Sequence, residues 1–187
     1  MLILASSSPR RKELLKRIFQ PAFKVIPSNA DESKAKFKTI EDLPLETSKI
    51  KGLPVSLDNK DDYVLSADTI VIFNGRKFGK PKSESDAFNM LTELNNRIHY
   101  IITGYSIFKS GILQRSGSVK SSLMITGLTE ESIKEYILTK SPFDKAGAYG
   151  IQDKKYIKSE IISGYEENIM GLPINEIKKD FEELGII

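Results

Sequence analysis

The stretch MLILASSSPRRKELL (Met1–Leu15) begins the chain, and it decides the fold. Its apolar run Met1–Ala5 predicts a short buried strand, and Leu14-Leu15 belongs to a helical pattern. Ser8 suits the N-cap of that helix. Pro9 suits its first position, because a missing N–H has no cost there. The sequence therefore predicts a strand, a tight turn and a helix in direct succession.

The turn itself combines three hydroxyls with two adjacent arginines, Arg10 and Arg11. A helix N-terminus presents free N–H groups and partial positive charge, which suit an anion. The arginines oppose that dipole by about 0.3–1 kcal/mol each, a cost that a bound anion would offset. The planar guanidinium group matches phosphate oxygens, so the turn indicates a site for a phosphate chain. An ordinary capped helix with solvated arginines is the alternative, and both remain open at this point.

Length and composition, with 40% hydrophobic and 28% charged residues, predict one globular domain over residues 1–187, or one domain with a subsidiary lobe. The net charge of +3 gives no reason to expect stable nucleic-acid binding. Cysteine is absent, which excludes disulfides and thiolate zinc sites and is compatible with a reducing compartment. No apolar stretch approaches the roughly 20 residues of a membrane span, and the apolar start lacks a basic leader. We expect a cytoplasmic protein without membrane contact.

His99 is the only histidine, so any metal must rest on oxygen ligands. Such ligands suit Mg²⁺ or Mn²⁺. His99 itself lies in the strand pattern RIHYII, which favours a structural hydrogen-bonding role over a catalytic one.

Segments of strand character alternate with segments of helical period, which predicts an α/β fold. We expect helices near residues 9–18, 45–50, 85–94, 130–140 and 173–184, and strands near 23–27, 63–73, 98–108, 112–125 and 156–162. Residues 28–57 are polar and interrupted by Pro44 and Pro54, so we expect a loop there with only one short helix.

Asp68 interrupts the most strongly predicted strand. A buried carboxylate is costly without a cation, a metal or hydrogen bonds, so Asp68 is the first candidate for catalysis. The alternative is that Asp68 ends one strand and caps a bend. A hairpin turn at Asn74-Gly75 would pair Thr69 with Lys80 and bring this lysine one step from Asp68. A register slip would place Lys80 on the other face, and an exposed ion pair would contribute little.

Two loop segments add candidates. Asp31 and Glu32 could supply, with Asp68, the oxygen ligands of a magnesium ion, although acidic residues in a loop are usually just solvated. In the segment 141–152, Tyr149 offers a ring for stacking and Gln152 an amide that can read a base edge. A tight loop with a core tyrosine is the alternative. Lys49 and Lys51 are ordinary surface lysines by default.

Taken together, these segments resemble the Maf family of nucleoside triphosphate pyrophosphatases. The matching pieces occur in the family order and span nearly the whole chain: LASSSPRRKELL, DE at Asp31-Glu32, LETSKI around Lys49, SADTIV, GKP at Gly79–Pro81, RIHYIITG, DKAGAYGIQ and GLP at Gly171–Pro173.

The resemblance implies a fold related to the inosine triphosphate pyrophosphatases (Maf/Ham1). This fold is a mixed twisted sheet with flanking helices in two lobes around a cleft, often in a homodimer. It also implies hydrolysis of a nucleoside triphosphate to the monophosphate and pyrophosphate with a divalent metal, Mg²⁺ or Mn²⁺. By motif match, Asp68 and Glu32 would hold the metal and act in catalysis together with Lys80.

Further residues would contact the substrate. The resemblance implies that the phosphates are held by Ser7, Arg11, Lys49 and Lys80. Arg10, Thr69 and Gln152 match the family branch that prefers dTTP and UTP, and would set specificity. The chain departs from the family at Lys140-Ser141-Pro142, where Gly-Glu-Pro is common, at Ile50, where alanine is typical, and after Gln152, where DKKYIK lacks the usual small residues.

Two other functions remain open. Family members have been linked to septum formation and division arrest, so the chain could be a nucleotide-binding regulator of septum formation without significant turnover. Against this, Glu32 and Asp68 with Lys80 form an intact reactive set, and pure binding needs no buried carboxylate beside a phosphate. A phosphotransferase is disfavoured because no GxxxxGK[ST] loop is present. House-cleaning of non-standard nucleotides and division control both fit the enzyme.

Overall fold

The computed structural model describes all residues, 1–187. The strands are β1 (Leu2–Leu4), β2 (Lys24–Val25), β3 (Tyr63–Phe73), β4 (Arg76–Phe78), β5 (Arg97–Lys109), β6 (Ile112–Thr126) and β7 (Lys158–Ser163). The helices are α1 (Pro9–Ile18), α2 (Leu43–Asp58), α3 (Glu84–Leu94), α4 (Glu130–Leu138), α5 (Glu166–Met170) and α6 (Ile174–Glu183). Short 3₁₀ turns lie at Glu32–Lys34, Ile40–Asp42, Ser141–Asp144 and Ala146–Ala148. None of the helices is long and apolar enough to cross a membrane.

One mixed sheet contains every strand. Its order is β2-β1-β3-β5-β6-β7, with β4 paired to β3. Strand β1 runs parallel to both β2 and β3, whereas the β3–β4 and β6–β7 pairs are antiparallel. The predicted α/β class, a mixed sheet with flanking helices, is therefore confirmed.

The chain divides into two compact units. The first contains Met1–Thr69, Thr103–Val119 and Met170–Ile187, and the second contains Ile70–Ile102 and Lys120–Ile169. Strands β3, β5 and β6 each contribute residues to both units. The interpretation of residues 1–187 as a single functional domain stays a prediction.

In the first unit, helices cover both faces of the sheet because the side chains of β1 alternate between them. Leu2 and Leu4 pack in one buried cluster with residues of α1 and α6. Ile3, on the opposite face, packs with Val55 of α2 in another cluster. The turn that follows β1 is thereby anchored on both sides.

Helix α2 corrects the expectation of a loop with a short helix near 45–50. It spans 16 residues, tolerates Pro44 in its first turn and contains Pro54 inside it. The buried face is made mainly of small or hydroxyl-bearing residues, which include Ser48, Gly52 and Ser56. These residues do not produce an apolar pattern with a period of 3.6 residues, so the sequence pattern did not indicate the helix.

Hydroxyl groups and a glycine bring α2 close to the sheet. Ser48 Oγ lies 2.6 Å from Ser106 Oγ, and Ser66 Oγ donates to Ser48 O over 2.7 Å. A Cβ added at Gly52 would overlap Ser66 and the ring of Phe108. The face of α2 that meets the sheet therefore leaves no room for larger side chains.

In the second unit, the hairpin has the predicted register. Phe73 pairs with Arg76 and Val71 with Phe78, across a turn in which Asn74 and Gly75 have φ values of 50° and 72°. The ladder ends at Phe78, so the expected pairing of Thr69 with Lys80 is not part of it.

We expect the substitution Gly104→Ala to destabilise the protein. A Cβ at this position would overlap the backbone of Pro44 and Leu45, which cannot turn aside as a flexible side chain would. Overpacking of this kind costs about 1–3 kcal/mol. Urea unfolding of the variant measures the loss. Gly79→Ala is the matched control, because the nearest neighbour of its added Cβ is Lys77 Cε at 3.8 Å. An unchanged midpoint for Gly104→Ala would contradict the packing described.

Candidate active site

The turn after β1 is held by its own serines. Ser8 caps α1 by accepting from Arg11 N over 3.4 Å, as the sequence predicts. Ser6 Oγ accepts from Ser8 N over 3.2 Å, which tightens the turn. Ser7 is exposed between them, and Arg10 is half-buried. The turn leaves the Ser7 side chain at the surface, as its predicted contact with phosphate requires.

Arg11 is buried rather than solvated, with 9% of its surface exposed. Its Nε donates to Gly171 O over 2.7 Å, Nη1 to Ser6 Oγ over 3.3 Å and Nη2 to Thr69 Oγ1 over 2.9 Å. Burial lowers the pKa of Arg11, and the carboxylates of Asp68 and Glu32 oppose that shift. These bonds use three of the five N–H donors of the guanidinium group.

Thr69 is tied to the same arginine. Its hydroxyl accepts from Arg11 and lies 3.0 Å from Thr103 Oγ1. Gly171 supplies the other main contact, with φ at +107°, a conformation that L side chains rarely adopt. Its carbonyl and Thr69 thus fix the direction of the Arg11 side chain.

Asp68 and Glu32 lie near one ammonium group, that of Lys51. Lys51 Nζ is 3.1 Å from Glu32 Oε1 and 3.6 Å from Asp68 Oδ1. The side chains of Lys51 and Asp68 are 14% and 18% exposed, whereas Glu32 is 54% exposed. The predicted acidic pair is therefore brought together, but around a lysine that the sequence marks only as a surface residue.

The position of Lys51 could have been inferred from the spacing of residues on helix α2. Lys51 follows Ser48 by three positions and precedes Gly52 and Val55, which face the sheet. Once the helix is recognised, this spacing places the lysine at the margin of the buried face. Lys49, the predicted phosphate ligand, pairs with Glu46 on the same helix at 2.8 Å.

The acidic pair, Glu32 and Asp68, meets one requirement of a site for a divalent cation but not another. No group of three Asp, Glu, His or Cys side chains is arranged to hold a metal ion. The Asp31 carboxylate accepts from the N–H and hydroxyl of Ser33. Glu32 and Asp68 nevertheless both approach the ammonium group of Lys51. Mg²⁺ is commonly held by one or two carboxylates, water and substrate phosphates. The pair therefore fits a metal that binds together with its substrate.

Lys80 and Gln152 lie in the second unit, and both are exposed. Their segments are connected, because Gly147 N donates to Gly79 O over 3.0 Å. Within this unit, the structure thus joins the GKP segment to the loop that carries Gln152.

Tyr149 is a core residue rather than a stacking platform. It is 5% exposed, and its hydroxyl lies 2.7 Å from His99 Nε2. His99 Nδ1 lies 2.9 Å from Arg97 O, so Nδ1 carries the proton and Nε2 accepts from the tyrosine. The structural interpretation of His99 agrees with this arrangement.

Comparison with known proteins agrees with the fold and the motifs. The model of the Maf-like protein family matches residues 1–184. A protein of Clostridium novyi named dTTP/UTP pyrophosphatase is 42% identical over 189 residues, covering 99% of this chain and 98% of that protein. One of the same name from Thermococcus gammatolerans is 41% identical over 185 residues, covering 99% and 97%.

Among solved structures, the Staphylococcus aureus Ham1 protein aligns with a TM-score of 0.55 at 17% identity, covering 97% of this chain and 98% of that one. A HAM1 protein from Coxiella burnetii aligns with a TM-score of 0.50 at 13% identity, with the same coverage. These two similarities concern the fold alone. The chain belongs to the Maf family.

We expect His99 to make stability depend on pH. Burial lowers its pKa, so below about pH 6.5 the unfolded chain binds more protons than the folded one. The stabilisation is complete above that pH and is lost as the pH falls towards the folded-state pKa, with a slope of at most about 1.4 kcal/mol per pH unit. Urea unfolding of the wild type and of His99→Gln between pH 7.5 and 5 measures the difference, and parallel curves would contradict the assignment.

Proposed function

We propose that this chain hydrolyses nucleoside triphosphates, with dTTP and UTP as its substrates, to the monophosphate and pyrophosphate. The observation that carries the proposal is the group formed by Glu32, Asp68 and Lys51, with the buried guanidinium of Arg11 held nearby by Thr69. Carboxylates can accept a proton from water, and fixed cations can balance the charge of a triphosphate. The names of the relatives support the reaction and the pyrimidine substrates.

In this proposal, Asp68 is the general base. It takes a proton from the water molecule that forms the new oxygen–phosphorus bond, while the bond to the pyrophosphate oxygen breaks and pyrophosphate leaves. Lys51 orients the Asp68 carboxylate through their 3.6 Å contact. The remaining donors of Arg11, together with Ser7, Lys49 and Lys80, bind the phosphate oxygens as charge builds up on them.

Glu32 and Asp68 are also the residues that would hold a divalent metal, Mg²⁺ or Mn²⁺. When bound, the ion would neutralise negative charge on the phosphate oxygens. Lys51 then contributes further positive charge beside the same two carboxylates.

For specificity, we propose Arg10, Thr69 and Gln152. The exposed amide of Gln152 can pair with a base edge. Thr69 acts differently, because its hydroxyl is engaged with Arg11 and Thr103. We propose that Thr69 orients Arg11 rather than touching the base.

The proposal also includes a homodimer in the cytoplasm and a role in clearing non-standard nucleotides or in arresting division. A nucleotide partner is supported by the names of the relatives. The modest net charge of +3 supports the expectation that nucleic acids are not stable partners.

A nucleotide panel tests the reaction. With Mg²⁺ present, we expect pyrophosphate release from dTTP and UTP to exceed release from CTP, ITP, 7-methyl-GTP and the common purine triphosphates. Selective turnover of 7-methyl-GTP or ITP would retain the chemistry and overturn the substrate assignment. Tight nucleotide binding without turnover in Mg²⁺ or Mn²⁺ would favour a regulator instead.

The variant Asp68→Asn tests the general base. It keeps the shape of the side chain but cannot take up the proton, so kcat should fall by roughly 10²–10⁴-fold with an unchanged thermal unfolding midpoint. Asp180→Asn is the matched control, because this carboxylate accepts from Tyr105 in the same unit and has no proposed catalytic role. A near-normal rate for Asp68→Asn would rule Asp68 out as the base.

A further inference from the structure

The buried hydroxyl of Tyr136 connects two points of the loop that carries Gln152. Tyr136 lies on α4 and is fully buried. Its hydroxyl donates to Asp153 Oδ2 and accepts from Gly150 N over 3.2 Å. One hydroxyl therefore holds the chain two residues before Gln152 and one residue after it.

Asp153 is the endpoint of a directed set of hydrogen bonds. Its Oδ2 also accepts from Ser141 Oγ over 2.9 Å, and Ser141 Oγ in turn accepts from Lys145 Nζ over 2.9 Å. Lys145 is 7% exposed, and its ammonium group also donates to Ser141 O and Asp144 Oδ1. Every donor among these groups has an acceptor. A fully satisfied hydrogen-bond network of this kind makes the local structure rigid.

The side chain of Gln152 lies directly against this framework. A Cβ built at Gly150 would come within 2.6 Å of Gln152 Nε2 and 2.7 Å of Lys145 Cε. The Gln152 amide thus lies over the Gly150 backbone, whose N–H is fixed by Tyr136. Any displacement of Gly150 or Asp153 would change the direction of that amide.

We propose that Tyr136 and Asp153 are positioning residues that fix the Gln152 amide for recognition of a pyrimidine base. This inference rests on the proposed function, in which Gln152 reads the base. Burial of a phenol and an ammonium group is costly, and apolar side chains could fill the same space. In compensation for that cost, the hydrogen bonds among these polar side chains give the loop a defined geometry.

Tyr136→Phe removes the hydroxyl and keeps the ring, which stacks on Tyr156 at 5.2 Å. We expect KM for UTP to rise about tenfold, the equivalent of one lost hydrogen bond near the upper end of the usual range. The kcat should change less than about threefold, because no group at the reacting phosphates is altered. The preference for UTP over GTP should fall by the same factor as KM rises.

Tyr105→Phe is the matched control. Tyr105 is also buried and donates to a carboxylate, Asp180, but it lies in the first unit. It should lose comparable stability on thermal unfolding without a change in KM or in base preference. Equal kinetic effects of the two variants, or an unchanged KM and preference for Tyr136→Phe, would overturn the proposal.

Substitutions at Asp153 separate positioning from general loss of structure. Asp153→Asn loses the charge that lies 3.6 Å from Lys145 Nζ but keeps an oxygen that accepts from Tyr136 and Ser141, so it should retain the wild-type preference. Asp153→Ala removes the acceptor and should behave like Tyr136→Phe. If the asparagine and alanine variants are equally impaired, the hydrogen-bond argument is wrong.

Binding measurements keep this test independent of turnover. UMP and GMP are titrated calorimetrically into the wild type and Tyr136→Phe. A wild type that releases no pyrophosphate but binds UMP better than GMP would refute the proposed reaction. In that case, loss of the preference for UMP in Tyr136→Phe would support the positioning role, and retention of the preference would overturn it. A wild type without any base preference would overturn the positioning role itself.

Discussion

The geometry of the candidate site depends on the burial of one guanidinium group. A charge removed from water must be compensated by hydrogen bonds and nearby opposite charge. Arg11 obtains both, from Gly171 O, Ser6 and Thr69 and from the carboxylates of Asp68 and Glu32. Because its donors point in fixed directions, the first turn, the middle of β3 and the segment before α6 must meet at set distances. A lysine could not impose this constraint, since it lacks the planar fork.

Sequence patterns predicted the regular elements near this group well. The cap at Ser8, the extent of α1 and the register of the Asn74-Gly75 hairpin follow from local chemistry, and the structure has all three. Helix α2 was missed because its buried face uses serine and glycine, which carry no apolar period. The position of Lys51 beside Glu32 and Asp68 was missed with it, because the direction of a side chain on a helix can be inferred only once the helix is recognised.

Other parts of the site could not be predicted from local sequence at all. The burial of Arg11 and the involvement of Thr69 result from contacts between residues far apart in the chain. Tyr149 is a residue type that can stack on a base. Its hydrogen bond with His99, 50 positions away, instead makes it part of the core. Family resemblance predicted which residues form the site, whereas the structure shows that Thr69 is bonded to Arg11 and that Lys51 lies beside the carboxylates of Glu32 and Asp68.

The 160 positions that separate Arg11 from Gly171 have a consequence for the order of events during synthesis. A nascent chain emerging from the ribosome presents the turn after β1 long before the carbonyl of Gly171, which fixes the arginine, has been made. The first unit is discontinuous and includes Met170–Ile187, so it cannot be completed before these residues have been synthesised. Such distant contacts also slow folding, because long loops must close first. A polypeptide released before residue 171 would therefore contain every proposed catalytic side chain and lack the backbone acceptor that orients Arg11.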